Sequence, residues 1–178
     1  MQLLLGADAF RTKLAGAKRR AFHLETRDDY LTENEEPSLA AFREDETIDP
    51  GGEWFRGWTD QVAAATARGV AMQRARIVSV PHTLYTRYLL ALTPHNVAAG
   101  EEVRYLPRQL ASASDAVAED FWLFDEEVLT FSVFDERGYW VGAVATEDPA
   151  IVAHAVRVRD RVWAAATPFA EYRVEAGR

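Results

Sequence analysis

The segment ARGVAMQRARIVSVPH, residues 67–82, predicts a strand from Val70 to Val80 that lies between two helices. A glycine ends the preceding helix, and a proline ends the strand. Because side chains alternate between the two faces of a strand, Arg74 and Arg76 share one face, and the apolar face that carries Ile77 is predicted to be the deeper one. The segment therefore predicts a core strand that has to accommodate two guanidinium groups.

Two roles are open for this arginine pair. Burial of an unpaired guanidinium group costs much free energy, so Arg74 and Arg76 must reach carboxylates, a ligand or solvent. Carboxylates from HLETRDD (residues 23–29) or DFWLFDEE (residues 120–127) would make the pair a structural ion-pair network. An open pocket in front of both arginines would instead make the pair a binding site for an anion.

The elements on either side of this strand predict one domain, residues 1–178, of the α/β or α+β class. Helical spacing and strand-like alternation indicate a mixed β-sheet of about five or six strands flanked by helices. Helices are expected at residues 8–20, 51–69, 82–94 and 149–167, with a short one at 39–43 and a break at Pro94. Strands are expected at residues 21–30, 70–80, 101–108, 119–127, 128–136 and 138–146, of which the last three form a meander.

An acidic segment, residues 28–52, interrupts this pattern and is expected to be partly irregular. Nine acidic residues and one arginine between Asp28 and Asp49 give it a local charge of −8, equal to the formal charge of the whole chain. The segment is either a solvated, mobile surface or a surface that engages a basic partner protein. We expect no nucleic acid to bind directly through this face, since its carboxylates would repel phosphates.

Several functional classes lack their sequence signals. The chain has no cysteine, which excludes disulfides, thiolate metal sites and cysteine nucleophiles. No two histidines stand one helical turn apart, as a zinc peptidase requires. The glycines of DPGGEW and AAGEE are not accompanied by the lysine or the third glycine of a nucleotide-binding loop. No serine is flanked by the glycines that mark the nucleophile of a serine hydrolase. We therefore expect no metal and no cofactor. The short apolar start predicts no signal peptide, and no apolar run is long enough for a membrane span, so we expect a cytoplasmic protein.

Polar residues near the ends of strands form the candidate site, because crevices of an open α/β sheet lie where strands give way to loops. The candidate ligand- or anion-binding residues are Arg74, Arg76, Ser79, His82, Arg104, Arg108 and Asp125. The alternative is that each of them caps a helix, holds a turn or pairs on the surface. No residue is assigned a catalytic role.

Four strings, in one order, resemble an actinobacterial family known as domain of unknown function 6879: HLETRDDY, ARGVAMQRARIVSVP, LTPHNVAAGEEVRYLPR and DFWLFDEEVLTFSVFD. The resemblance extends over nearly the whole chain. It implies a small cytoplasmic protein of streptomycetes and their relatives, often encoded beside helix-turn-helix regulators. That setting favours a regulatory or partner-binding role.

The order of elements is also similar to the phospholipase-D-like domains attached to some bacterial transcription regulators. That similarity implies a mixed sheet with the last helix packed against it. Active members of the superfamily use a histidine followed two residues later by a lysine. No histidine of this chain has that neighbour, since the only lysines are Lys13 and Lys18. The similarity therefore implies a phospholipase-D-like half without the catalytic motif.

Three functions remain open. The first is a non-catalytic regulatory, ligand-binding or partner-binding module that acts with a helix-turn-helix regulator. The second is an enzyme for a phosphorylated or other anionic substrate, with Arg74, Arg76 and Arg104 on the anion and His82 or Asp125 handling protons. The third is an acidic, antitoxin-like partner of a basic protein. A homodimer through an exposed edge strand is also open.

Overall fold

Eight strands and six helices make up the part of the chain that the computed structural model describes, residues 2–30, 32, 34–116 and 118–176. The strands are β1 (Gln2–Leu5), β2 (Arg20–Glu25), β3 (Ala71–Val78), β4 (Glu102–Pro107), β5 (Phe121–Phe124), β6 (Val128–Phe134), β7 (Trp140–Thr146) and β8 (Thr167–Pro168). The helices are α1 (Gly6–Gly16), α2 (Glu36–Glu44), α3 (Glu53–Ala67), α4 (Leu84–Ala98), α5 (Pro149–Ala165) and α6 (Phe169–Ala176).

All eight strands form one mixed sheet in the order β1-β7-β6-β5-β2-β3-β4-β8. The pairs β2–β3 and β3–β4 are parallel, because the helical connections through α3 and α4 return the chain to the end of the sheet at which the previous strand began. The other strand pairs are antiparallel. The structure confirms the predicted fold class: an α+β chain with a mixed sheet and a meander, β5–β6–β7. The count of five or six strands was too low, since β1 and β8 are short edge strands with little periodicity of their own.

One face of the sheet packs against α5. The side chain of Asp148 accepts hydrogen bonds from the first free N–H groups of this helix, and a proline follows at the first helical position. The helix buries Val158 and Val162 against Phe22, Leu24 and other strand residues. Each such fully buried side chain contributes about 1.5–3 kcal/mol of hydrophobic stabilisation.

The opposite face of the sheet is covered by α1, α2, α3 and α4. Leu14 of α1 and Val62 of α3 pack on Met72, and Phe42 of α2 packs on Tyr88 of α4. Because helices cover both faces, β3 is buried on both sides. Arg74 and Arg76 therefore lie beneath helices, on the face opposite α5.

Several element boundaries differ from the prediction, among them those of α4, α5 and α2. Helix α4 continues through Pro94 to Ala98, because Pro94 is exposed and water can solvate the carbonyl that the missing N–H leaves unpaired. The helix predicted at residues 149–167 is α5 and stops at Ala165; β8 and a further helix that was not predicted, α6, follow it. The short helix in the acidic segment is longer than predicted and begins at Glu36.

The acidic segment is only partly irregular. Phe42 of α2 is 2% exposed and contacts the ring of Tyr88 at 5.5 Å. On the loop after α2, Glu46 receives two hydrogen bonds from Arg87, at 2.6 and 2.8 Å. These contacts tie the segment to α4. Within the described residues, no helix has the length and apolar character that crossing a membrane requires.

Candidate functional site

A cavity of about 380 Å³ lies between the α1–α4 layer and the sheet. Strands β2, β3, β5 and β6 supply its polar and aromatic lining, including His23, Glu25, Arg74, Arg76 and Trp122. Helices α1, α3 and α4 add mainly aromatic and aliphatic side chains, including Phe10, Phe55, Trp58 and Leu89. A volume of this size with a largely apolar lining and a few polar groups is typical of small-molecule sites.

The polar part of the lining is a buried ion-pair network. Arg74 donates to Glu25 and, through Nε at 2.8 Å, to Glu101. Arg76 donates from Nε to the second oxygen of Glu25 at 2.5 Å. Asn96 donates to the other oxygen of Glu101 at 2.6 Å. Two guanidinium groups therefore meet two carboxylates, and the network carries no net charge.

Hydroxyl groups complete the coordination of Arg76. Its Nη1 donates to Tyr105 Oη at 2.8 Å and to Thr93 Oγ1 at 3.0 Å. Burial alone would raise the pKa of Glu25, but Arg76 and Arg74 outweigh it and hold that pKa well below its usual value. Glu25 is therefore ionised throughout the neutral range, and both arginines are committed to partners within the chain.

His23 stands beside this network. Its ring stacks on Trp122 with the centroids 4.2 Å apart, and Nδ1 lies 3.3 Å from Glu25 Oε1. Burial lowers the pKa of His23 well below its ordinary value; Glu25 opposes that shift, and the two nearby arginines reinforce it. The imidazole is therefore neutral at pH 7.

Two further carboxylates line the cavity, and hydroxyl groups hold them. Glu35 accepts from Thr32 Oγ1 at 2.7 Å and from Tyr85 Oη at 2.8 Å. Asp120 accepts from Tyr30 Oη and, at 2.8 Å, from the backbone N–H of Thr26. The pKa of each is raised, chiefly because burial disfavours the charged form.

The seven predicted site residues do not form one site. Arg74 and Arg76 line the cavity, within the ion-pair network described above. The other five lie in three separate places that do not line the cavity.

The first of these places surrounds Asp28, at the carboxyl end of β3. Asp28 accepts from the backbone and hydroxyl of Ser79, at 2.9 and 2.6 Å, and lies 3.3 Å from Arg108. His82 Nδ1 is 2.9 Å from the carbonyl of Ser79, and its Nε2 is 3.0 Å from Tyr172 Oη. Ser79, His82 and Arg108 thus fix the loop that follows the strand.

Arg104 and Asp125 occupy the other two places. Arg104 faces α5, where its guanidinium group lies 4.3 Å from the ring centre of Trp163 and donates to the Trp163 carbonyl at 3.0 Å. Asp125 lies in the turn between β5 and β6 with a φ of 54°. Its carboxylate accepts from three successive backbone N–H groups, those of Lys18, Arg19 and Arg20. Both residues make structural contacts.

Several residues that build the cavity were not predicted as site residues, notably Glu25, Tyr30, Glu35 and Trp122. One signal was available, since strand alternation places His23 and Glu25 opposite Phe22 and Leu24. The pairing of Glu25 with Arg76 required the further knowledge that β2 and β3 are parallel neighbours. Among the described residues, no group of three or more metal-type ligands lies together.

Comparisons with known proteins agree on the fold. TrmBL2, an archaeal chromatin protein with a novel mode of DNA binding, superposes with a TM-score of 0.52 at 15% identity over 93% of this chain. The match covers 53% of TrmBL2, so the chain spans about half of that protein's length. NucT from Helicobacter pylori, which has a phospholipase-D-like fold, superposes with a TM-score of 0.53 at 9% identity, over 90% of this chain and 89% of NucT.

No protein with a curated description matches the sequence. The similarity to NucT agrees with the predicted phospholipase-D-like layout. The model of one family, described as a domain of unknown function (DUF6879), matches residues 8–174, which is nearly the full length of the chain. The chain therefore belongs to the DUF6879 family.

Proposed function

We propose that the chain is a non-catalytic regulatory module that binds a small ligand in its cavity and acts with a partner protein. The observation that carries this proposal is the combination of an aromatic-lined cavity of about 380 Å³ with a polar lining in which the two arginines of β3 are already neutralised. Such a cavity is suited to holding a molecule. It offers no uncommitted guanidinium group from β3 to stabilise the charge of a reacting phosphate.

The sequence supports the absence of phospholipase-D chemistry. That chemistry requires a lysine two residues after a histidine, and the only lysines, Lys13 and Lys18, precede every histidine of the chain. His82, the histidine nearest the carboxyl end of β3, uses both ring nitrogens in contacts within the chain. An enzyme for an anionic substrate is therefore the weaker alternative.

A helix-turn-helix transcription regulator is the partner that the family resemblance favours. The structural similarity to about half of TrmBL2, a protein that binds DNA, is compatible with a module that works beside a DNA-binding domain. Direct contact with DNA through the acidic segment would set its carboxylates against phosphates. The partner, in this proposal, supplies the DNA contact.

The acidic segment favours a second candidate, an antitoxin-like partner of a basic protein. Glu44, Asp45 and Glu46 are exposed on and after α2. If this surface binds a basic toxin or nuclease, the chain restores growth when that protein is expressed beside it. Charge reversal of Glu44 and Asp45 to lysine would abolish the rescue.

The proposal is tested by coexpression of the full chain with the regulator encoded beside it, followed by measurement of their affinity. Ala143 lines the cavity and is 5% exposed, so Ala143→Leu fills part of the ligand space. Ala153→Leu adds the same bulk at an exposed position of α5 and is the matched control. We expect the regulator to copurify with the wild type and the control, and its affinity to change in the filled variant. Failure of every coexpressed regulator to bind, together with equal behaviour of both variants, would refute the proposal.

A further inference from the structure

Buried acidic side chains outnumber buried arginines in the cavity wall and directly behind it. The network of Arg74, Arg76, Glu25 and Glu101 is neutral, whereas Glu35 and Asp120 make no ion pair with any described residue. Glu35 is 9% exposed and Asp120 is 3% exposed. Their hydrogen-bond donors are hydroxyl groups and one backbone N–H, so neither carboxylate has a cationic partner in direct contact.

Both carboxylates are energetically costly in their ionised form. Burial raises the pKa of Glu35 and of Asp120, and the charge of Glu25 adds to the shift of each. A positively charged ligand between them would offset that cost, because opposite charges favour the ionised form of a buried acid. A ligand with a negative charge would increase the cost.

Aromatic rings stand directly beside these carboxylates. Tyr30 donates its hydroxyl to Asp120, and its ring centre lies 5.8 Å from that of Tyr85. It lies equally far from that of Phe134, whose ring already carries the guanidinium group of Arg27 at 4.3 Å. Tyr85 in turn donates to Glu35. The faces of such rings attract cations, and aromatic cages are the usual receptors for quaternary ammonium groups.

The groups that would favour an anion are already occupied. Arg74 and Arg76 are paired within the network, and the neutral His23 carries no charge. A third lining arginine, Arg11, is exposed and has an interaction of its own. A metal ion is also disfavoured, since the described residues provide no cluster of three or more metal-type ligands.

We infer that the ligand of this cavity is a small organic cation, a protonated or quaternary amine with apolar substituents, held between the rings of Tyr30 and Tyr85 and the carboxylates of Glu35 and Asp120. This inference rests on the proposed ligand-binding function and specifies its ligand class. The amine group pairs with the two surplus carboxylates, and its apolar substituents occupy the part of the cavity lined by Phe10, Trp58 and Leu89.

Three compounds of nearly equal size and different charge test the inference by calorimetric titration of the full chain: phenethylamine, 2-phenylethanol and phenylacetate. We expect the cation to bind at least about tenfold more tightly than the neutral alcohol, and the anion to bind most weakly. Equal affinity for cation and alcohol, tighter binding of the anion, or no binding of any of the three at millimolar concentrations would overturn the inference.

Two variants connect the charge preference to the carboxylates. Glu35→Gln and Asp120→Asn should each reduce the preference for the cation severalfold, and Glu119→Gln, an exposed neighbour, should leave it unchanged. If Asp120→Asn fails to fold because it also binds the N–H of Thr26, Glu35→Gln still decides the question. An unchanged preference in a folded Glu35→Gln variant would overturn the inference. Recovery of a neutral or anionic molecule from the native protein would overturn the ligand class while leaving the ligand-binding function standing.

Discussion

Replacement of Glu25 by glutamine removes the one carboxylate that both buried arginines share. After this change Arg74 keeps its bond to Glu101, whereas Arg76 has no carboxylate partner and keeps only neutral acceptors, among them the hydroxyls of Thr93 and Tyr105. Arg76 is 4% exposed, so its charge is left buried without a counter-charge. Removal of one partner from a buried ion pair typically costs about 3–5 kcal/mol, and we expect Glu25→Gln to lower the free energy of unfolding by about that amount.

Urea denaturation followed by circular dichroism measures this change. For a domain of this length, about 3–5 kcal/mol corresponds to a fall in Tm of roughly 6–20 °C. The matched control is Glu127→Gln, because Glu127 pairs with Arg19 at 3.0 Å on the surface, with both side chains more than two-thirds exposed. The control should cost less than about 1 kcal/mol.

A double variant separates lost pairing from lost packing. Glu25→Leu combined with Arg76→Met replaces both partners by apolar groups, and it should be less destabilising than Glu25→Leu alone, because no unpaired charge is left behind. A loss below about 1 kcal/mol for Glu25→Gln, equal to the surface control, would refute the reasoning. It would mean that solvent in the cavity compensates the guanidinium groups, which would then be available to an external anion.

Three further changes test other parts of the structure. The raised pKa of Glu35 means that its ionised form destabilises the folded chain. The free energy of unfolding of the wild type should therefore increase as the pH falls from neutral toward 4.5, the ordinary pKa of this group. Denaturation at several pH values should show a smaller increase in Glu35→Gln. Asp125→Ala should lower the free energy of unfolding by about 1–3 kcal/mol, since three backbone N–H groups lose their acceptor, and Asp125→Asn should cost less in the same urea assay. Pro94→Ala should raise Tm, because the exposed alanine restores a backbone N–H to α4, and proline costs about 3 kcal/mol in a helix interior. A lower Tm would show that α4 depends on the proline.

Local patterns in the sequence were sufficient to predict most of the fold. Alternation identified β3 and the face that Arg74 and Arg76 share, and a capping aspartate followed by proline identified the start of α5. The edge strands β1 and β8 were not predicted, because segments of four and two residues are too short to show a periodic pattern. They are strands only because they form hydrogen bonds with β7 and β4. Proline usually ends a helix, and the sequence alone does not show that Pro94 lies on the exposed side of α4, where the helix can continue through it.

The cavity was less accessible to prediction, because its chemistry depends on long-range pairing. Glu25 and Arg76 are 51 residues apart, and only the parallel register of β2 and β3 brings them together. Tyr30 and Asp120 are separated by 90 residues and belong to different loops. The sequence leaves two roles open for Arg74 and Arg76, a structural ion-pair network and an anion site in an open pocket. In the structure both arginines pair with carboxylates of the chain, and both also line the cavity.

The central claim is that the cavity holds a ligand. Native mass spectrometry of the full chain, purified under nondenaturing conditions from its own host, tests this most directly when wild type, Ala143→Leu and Ala153→Leu are compared. We predict a noncovalently bound small molecule of fixed mass on the wild type and on Ala153→Leu, and its loss from Ala143→Leu. A wild-type mass equal to that of the bare chain, or a bound molecule that Ala143→Leu retains in full, would contradict the claim.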